Sequence, residues 1–173
     1  MSCEINRRDL IKLGAGAALA APAAAFATTG RSEFFTPGEF ATLDELTEIL
    51  IPADSHSPGA RAAKVAAYID RSVAQAFENK ERDDWRSGLK LVEELSHKMN
   101  HRAFMESTPG ERVAIVAVMA KNETHPKTPE EVFFGKLKHA TVWAYYTSEI
   151  GIHQEMEYKG NVMLQQFVGY ELK

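Results

Sequence analysis

The chain has a single cysteine, Cys3, among its 173 residues. One thiol closes no intrachain disulfide, and its place ahead of the first apolar run does not suit a lipidation site. Beyond residue 27 there is no cysteine. That excludes a thiolate metal site, a covalent haem attachment and a cysteine nucleophile from the rest of the chain. Long apolar runs are missing too. Residues 13–21 form an Ala/Gly-rich stretch, well short of the ~20 residues needed to cross a bilayer. No Gly-rich phosphate loop is present, since Gly14-x-Gly16 follows no strand. Alternating apolar and polar residues never run long enough to predict a sheet. Basic residues are outnumbered by acidic ones, 20 against 24, and they form no patch with interleaved aromatics, so nucleic acid is not an expected partner.

What is present begins at the N-terminus. Asn6-Arg7-Arg8-Asp9-Leu10-Ile11-Lys12 is followed by the weakly apolar stretch, then Pro22, then Ala23-Ala24-Ala25-Phe26-Ala27. Paired arginines, a short apolar segment and small residues at a cleavage position form a twin-arginine export signal. Arg7, Arg8, Leu10 and Lys12 carry the recognition pattern, with Asn6 and Leu10 as mild departures from it. Ala25 and Ala27 set an Ala-x-Ala cleavage site after residue 27, with cleavage after residue 25 as the alternative. The expected organisation is a signal over residues 1–27 and one domain over residues 28–173, placed in the periplasm. Because this route carries folded proteins, the chain or something bound to it must be assembled before export. Removing residues 1–27 takes away Arg7, Arg8, Lys12, Glu4 and Asp9, leaving 17 basic and 22 acidic residues, net −5. No transmembrane span is expected in that mature part.

Three helix starts share one chemistry. Thr36-Pro37-Gly38-Glu39, Thr108-Pro109-Gly110-Glu111 and Thr128-Pro129-Glu130-Glu131 each read as a capping box with proline at the first helical position. Apolar spacing then predicts helices over residues 37–50, 60–77, 80–105, 109–121 and 129–150. Gly151 reads as a left-handed residue closing the last of them. The tail that follows has no clean period. The fold class expected is all-α: one compact domain of about five helices with an irregular C-terminal tail.

Chemistry is hard to find. His97 and His101 stand four apart, a spacing able to hold a metal, but no further ligands lie nearby and a solvated face explains them better. His139 and His153 have no partner pattern. Asp54, Ser55 and His56 are adjacent in sequence, whereas a catalytic triad is a spatial arrangement; an Asx turn explains them at lower cost. The fifth predicted helix is aromatic on more than one side. Such a helix is either central in its fold or shared with another chain.

Several of these segments together resemble one family. Residues 43–70 carry Ile51-Pro52-Ala53-Asp54, Ser57-Pro58-Gly59-Ala60 and Tyr68-Ile69-Asp70. Later come Phe133-Phe134-x-x-Leu137, Tyr145-Tyr146-Thr147-Ser148-x-x-Gly151, Tyr158-x-Gly160-Asn161 and Gly169-Tyr170. In this order and spacing they resemble the gluconate 2-dehydrogenase subunit 3 family, the small or gamma subunits. The resemblance implies a non-catalytic subunit with no cofactor of its own. It also implies a large-subunit partner, an FAD-dependent oxidoreductase of the glucose-methanol-choline type that oxidises a sugar or glycoside. A third subunit carrying haem c, or an equivalent carrier, would take the electrons, and any membrane association would come through the complex. The small subunit would assist folding and twin-arginine co-export of the large one. Expected contact regions are the turn bearing Pro52, Asp54, Pro58 and Gly59, and the segment bearing Trp143, Tyr145, Tyr146, Gly151 and Tyr158. The alternative reading is a free-standing periplasmic helical binding or chaperone module.

Overall fold

The computed structural model describes residues 32–158 and 160. The described residues form six α-helices and no strand: α1 Pro37–Leu50, α2 Gly59–Ala62, α3 Val65–Ala74, α4 Asn79–Asn100, α5 Pro109–Met119 and α6 Pro129–Tyr146. A 3-10 turn, Phe104–Glu106, and a π-helical turn, Gly151–Glu155, complete them. The all-α expectation holds.

All three capping boxes form. Thr36, Thr108 and Thr128 each accept from the backbone amide of the glutamate three residues on, and Glu39, Glu111 and Glu131 each reach back to the cap amide. These contacts are local, so the sequence alone suffices to specify them.

Other boundaries differ from expectation. The helix expected over residues 60–77 is two, split at Lys64, whose φ of 57° is left-handed. Such a backbone costs a non-glycine residue about 1–2 kcal/mol. Two tertiary demands impose it. Glu48 Oε2 accepts from the Arg61 amide at 2.8 Å, pinning α2 on α1. The chain must then turn before α3 can bury Val65, Ile69 and Val73. Phe77, the last residue of the helix expected there, lies beyond α3 and stands fully exposed.

The helix expected to reach residue 105 stops at Asn100, with His101 left-handed at φ 57°. Polar side chains of α4 catch the chain as it doubles back. Glu93 Oε2 accepts from the Phe104 amide at 2.9 Å, and the Ser96 hydroxyl donates to the Arg102 carbonyl at 2.9 Å. Phe104 is thereby folded into the core from a 3-10 turn. His97 and His101 are both exposed, as a solvated face requires.

Helix α5 ends two residues before its expected limit of 121, and α6 ends at Tyr146 rather than at residue 150. Thr147 and Ser148 stop α6 by turning their hydroxyls onto the carbonyls of Trp143 at 2.7 Å and Tyr145 at 2.6 Å, an alternative to further helical bonds. Gly151 is not left-handed. It is required for a different reason: a Cβ there would stand 2.0 Å from the Tyr145 carbonyl oxygen.

Helix α6 is central, packing against α1, α3, α4 and α5. That explains why Phe133 and Phe134, about 100° apart on the helix, are both buried. Phe133 meets Trp85 edge to face at 5.7 Å, and Trp85 meets Phe35 at 6.3 Å. Helix α4 approaches this stack at Gly88, where a Cβ would lie 2.0 Å from the Phe133 ring.

One ionic junction ties three helices. Glu45 on α1 accepts from Arg61 of α2 and Arg112 of α5, each at 2.8 Å. Burial alone would raise its pKa, but hydrogen bonds from Arg112 and then Arg61 outweigh burial and hold it below the usual carboxylate range. A depressed carboxylate stabilises the fold above its unfolded pKa, about 4.3, and that stability is lost as pH falls through the lower folded value. Glu45→Gln should therefore cost about 1–2 kcal/mol at pH 7, and the Tm gap from the parent should close on acidification below pH ~4. A gap that does not change with pH would show that Glu45 acts by shape alone.

Candidate partner surface

The loop between α1 and α2, residues 51–58, is rigid by construction. Asp54 Oδ1 accepts from the amides of His56 at 2.8 Å and Ser57 at 2.7 Å, while the Asp54 amide donates to the Ser57 carbonyl at 2.8 Å. This is the Asx turn expected here. The backbone bonds from His56 and then Ser57 lower the pKa of Asp54. The Ala60 amide closes the loop on the Ile51 carbonyl at 2.9 Å. Gly59 is the residue that permits this closure: its φ is +82°, and a Cβ would stand 2.6 Å from the Ala53 nitrogen.

The Ser57 hydroxyl is hydrogen-bonded to the Tyr145 hydroxyl of α6 in the interior. The two regions singled out in the sequence, far apart along the chain, are thus joined. Their residues do not all face outward, however. Tyr145 is fully buried, and Gly59 and Gly151 are buried as well. Those three support the surface from beneath, and the other expected residues are the ones that reach it. Pro52 and Asp54 are exposed and Pro58 half-buried. Trp143 is 58% exposed, and Tyr146 and Tyr158 also reach solvent. Arg7, Arg8, Leu10, Lys12, Ala25 and Ala27, expected to form an export signal, lie outside the described residues.

A feature missed in the sequence adjoins Trp143. Helices α3, α4 and α6 enclose a cleft of about 370 Å³. Tyr68 and Trp143 flank it, Trp85 and Ile69 contribute to its lining, and Glu81 and His139 supply polar groups. Glu81 is already engaged, accepting from the Trp85 indole at 3.0 Å and Lys136 at 2.9 Å. Tyr68 is half exposed. Large amphipathic side chains around a cleft are the kind that anchor interfaces. Trp143 was expected to meet a partner from the sequence, but the cleft was not, because its walls come from three helices.

A second missed feature is Asp70. Its carboxylate is 3% exposed and accepts three successive amides, Glu33 at 2.5 Å, Phe34 at 3.1 Å and Phe35 at 2.9 Å. The chain entering the domain is thereby fixed on α3. The partners lie 35 to 37 residues away, so no local signal announces them.

Among the described residues, no group of three or more His, Cys, Asp or Glu could hold a metal, and no helix is long and apolar enough to cross a membrane. A cleft flanked by aromatics and a loop locked onto the central helix mark a small helical domain with a surface suited to another protein. The family model for gluconate 2-dehydrogenase subunit 3 matches residues 37–163, and the chain belongs to that family. It is accordingly an accessory subunit of a dehydrogenase complex. No curated protein and no solved structure matches it.

Proposed function

We propose that this chain is the non-catalytic escort of a periplasmic FAD-dependent dehydrogenase of the glucose-methanol-choline type, acting on a sugar or glycoside. It binds the folded, FAD-loaded catalytic subunit in the cytoplasm, carries it out through the twin-arginine translocase on its own signal, and remains bound to stabilise it. Electrons leave the flavin for a cytochrome c subunit or an equivalent carrier. This chain holds no cofactor in that scheme, and substrate choice rests with the catalytic subunit.

The observation that carries the reading is the placement of a subunit-family domain, residues 37–163, directly behind Arg7-Arg8 and its Ala-x-Ala site in one chain. The aromatic cleft supports it by supplying a docking surface. Burying more than ~1,200 Å² around Tyr68 and Trp143 would give a stable complex.

Tyr68 and Trp143 are exposed, so alanine at both should move the Tm of the isolated domain by only a few degrees. At an interface, each aromatic anchor contributes about 2 kcal/mol or more. Co-purification of the catalytic subunit should accordingly weaken at least about 100-fold in apparent Kd. Affinity within about threefold of the parent would remove the cleft from the interface.

A further inference from the structure

Glycine in the interior of a helix calls for a reason, because it ranks below every residue but proline there. Helices α4 and α6 each carry one. Gly88 of α4 has its reason within the domain, in the Phe133 ring that a Cβ would strike. Gly135 of α6 has none of that kind: it is exposed, and a Cβ built on it meets nothing within 4 Å. No contact among the described residues explains it.

Gly135 also lies on an unusual face. At about 100° per residue, Val132, Gly135, His139, Val142, Trp143 and Tyr146 share the side of α6 opposite its buried Phe133, Phe134, Leu137 and Tyr145. All six are exposed. A helix face turned to solvent ordinarily carries charged residues, yet none of these six is a lysine, arginine, aspartate or glutamate. The lysines bordering the face are already engaged inside the chain. Lys136 pairs with Glu81 at 2.9 Å and Asp84 at 3.5 Å, and Lys138 pairs with Glu123 at 2.6 Å. The central position of α6 accounts for its buried aromatics, but not for Val132, Val142, Trp143 and Tyr146 on the outside.

We propose that this face is a helix-docking seam for the catalytic subunit, which lays an apolar, uncharged helix along it and crosses closest at Gly135. The assignment rests on the subunit reading above. A missing side chain lets two helix backbones approach at their crossing point. The seam runs roughly 21 Å from Val132 to Tyr146. It is continuous with the cleft through His139 and Trp143, which belong to both. A second copy of this chain fits less well. Gly135 sits nearer the start of α6 than its end, so two antiparallel copies crossing there would leave Trp143 and Tyr146 with no helix opposite them.

The test titrates the full-length chain and its variants with the FAD-loaded catalytic subunit, and reads the Tm of each chain alone. Gly135→Ala should raise the Tm by about 2–5 °C, since alanine favours the helix and the space is open, while raising Kd at least about threefold. Gly135→Leu should hold the Tm at or above the parent's and raise Kd at least about tenfold by filling the crossing point. Stability and binding thus move in opposite directions, which damage to the fold would not produce. Because the seam carries no charge, Kd should change less than about threefold between roughly 0.05 and 0.5 M NaCl. Parent-like affinity in Gly135→Leu, with the Tyr68→Ala and Trp143→Ala pair still weakening the complex, overturns the seam and leaves the escort reading standing. No binding by the parent chain overturns both. A Tm lowered by Gly135→Leu would mean that residues 161–173 or another part of this chain cover the face. A dimer of the chain alone that Gly135→Leu dissociates would give the face to a second copy. Either result overturns the proposal, as does a Kd that rises about tenfold or more with salt.

Discussion

Gly88→Val should unfold this domain at a temperature roughly 10 °C below the parent, a loss of about 3 kcal/mol. The position lies in the middle of α4, where glycine is ordinarily a weakness of about 1 kcal/mol relative to alanine. A surface helix would gain stability from a larger residue there. Here the sign reverses, because the space a Cβ would occupy is taken by the Phe133 ring, with Cδ2 at 2.0 Å and Cε2 at 2.2 Å. Phe133 cannot step aside cheaply: it is 4% exposed and stacks on Trp85, which in turn supports Phe35 and lines the cleft. Separation of α4 from α6 is the remaining way out, and it would loosen the whole aromatic stack. Phe133→Leu in the same chain should recover part of the loss, giving a coupling of about 1 kcal/mol or more in a double-mutant cycle. A Gly88→Val protein with an unchanged Tm, measured by calorimetry, would mean that α4 and α6 are not in this close contact.

How far the sequence reached depended on the range of each interaction. Thr36, Thr108 and Thr128 find their partners three residues away, so three helix starts were legible and correct. The breaks at Lys64 and His101 were not, because neither residue carries a turn signal. Both take left-handed backbones on account of contacts made elsewhere, Glu48 to the Arg61 amide and Glu93 to the Phe104 amide. Gly151 shows a signal read for the wrong reason, since glycine is needed there by the nearby Tyr145 carbonyl and not by its φ. The Asx turn at Asp54 was legible for the same local reason as the caps. Its bond through Ser57 to Tyr145 spans 88 residues and was not. Tyr68 and Asp70 stood inside a recognisable family pattern, yet their separate roles, one at the cleft and one holding the amides of Glu33, Phe34 and Phe35, emerge only when α3 is placed between its neighbours.

That placement also separates the duties of the two ends of α3's partners. Trp85 meets Phe35 edge to face at 6.3 Å and also lines the cleft. The cleft and the segment held on Asp70 thus share one buried indole. Arg7→Lys together with Arg8→Lys should leave both untouched, since it changes only the proposed export signal. It should nonetheless strand two proteins.

Cell fractionation with the catalytic subunit co-expressed tests the escort role most directly. With the parent chain, dehydrogenase activity and both polypeptides should appear in the periplasm. With the Arg7→Lys and Arg8→Lys variant, both should remain in the cytoplasm as an assembled complex, and periplasmic activity should fall at least about tenfold, as it should when this chain is omitted. A catalytic subunit that reaches the periplasm in full measure under either condition would contradict the escort role outright.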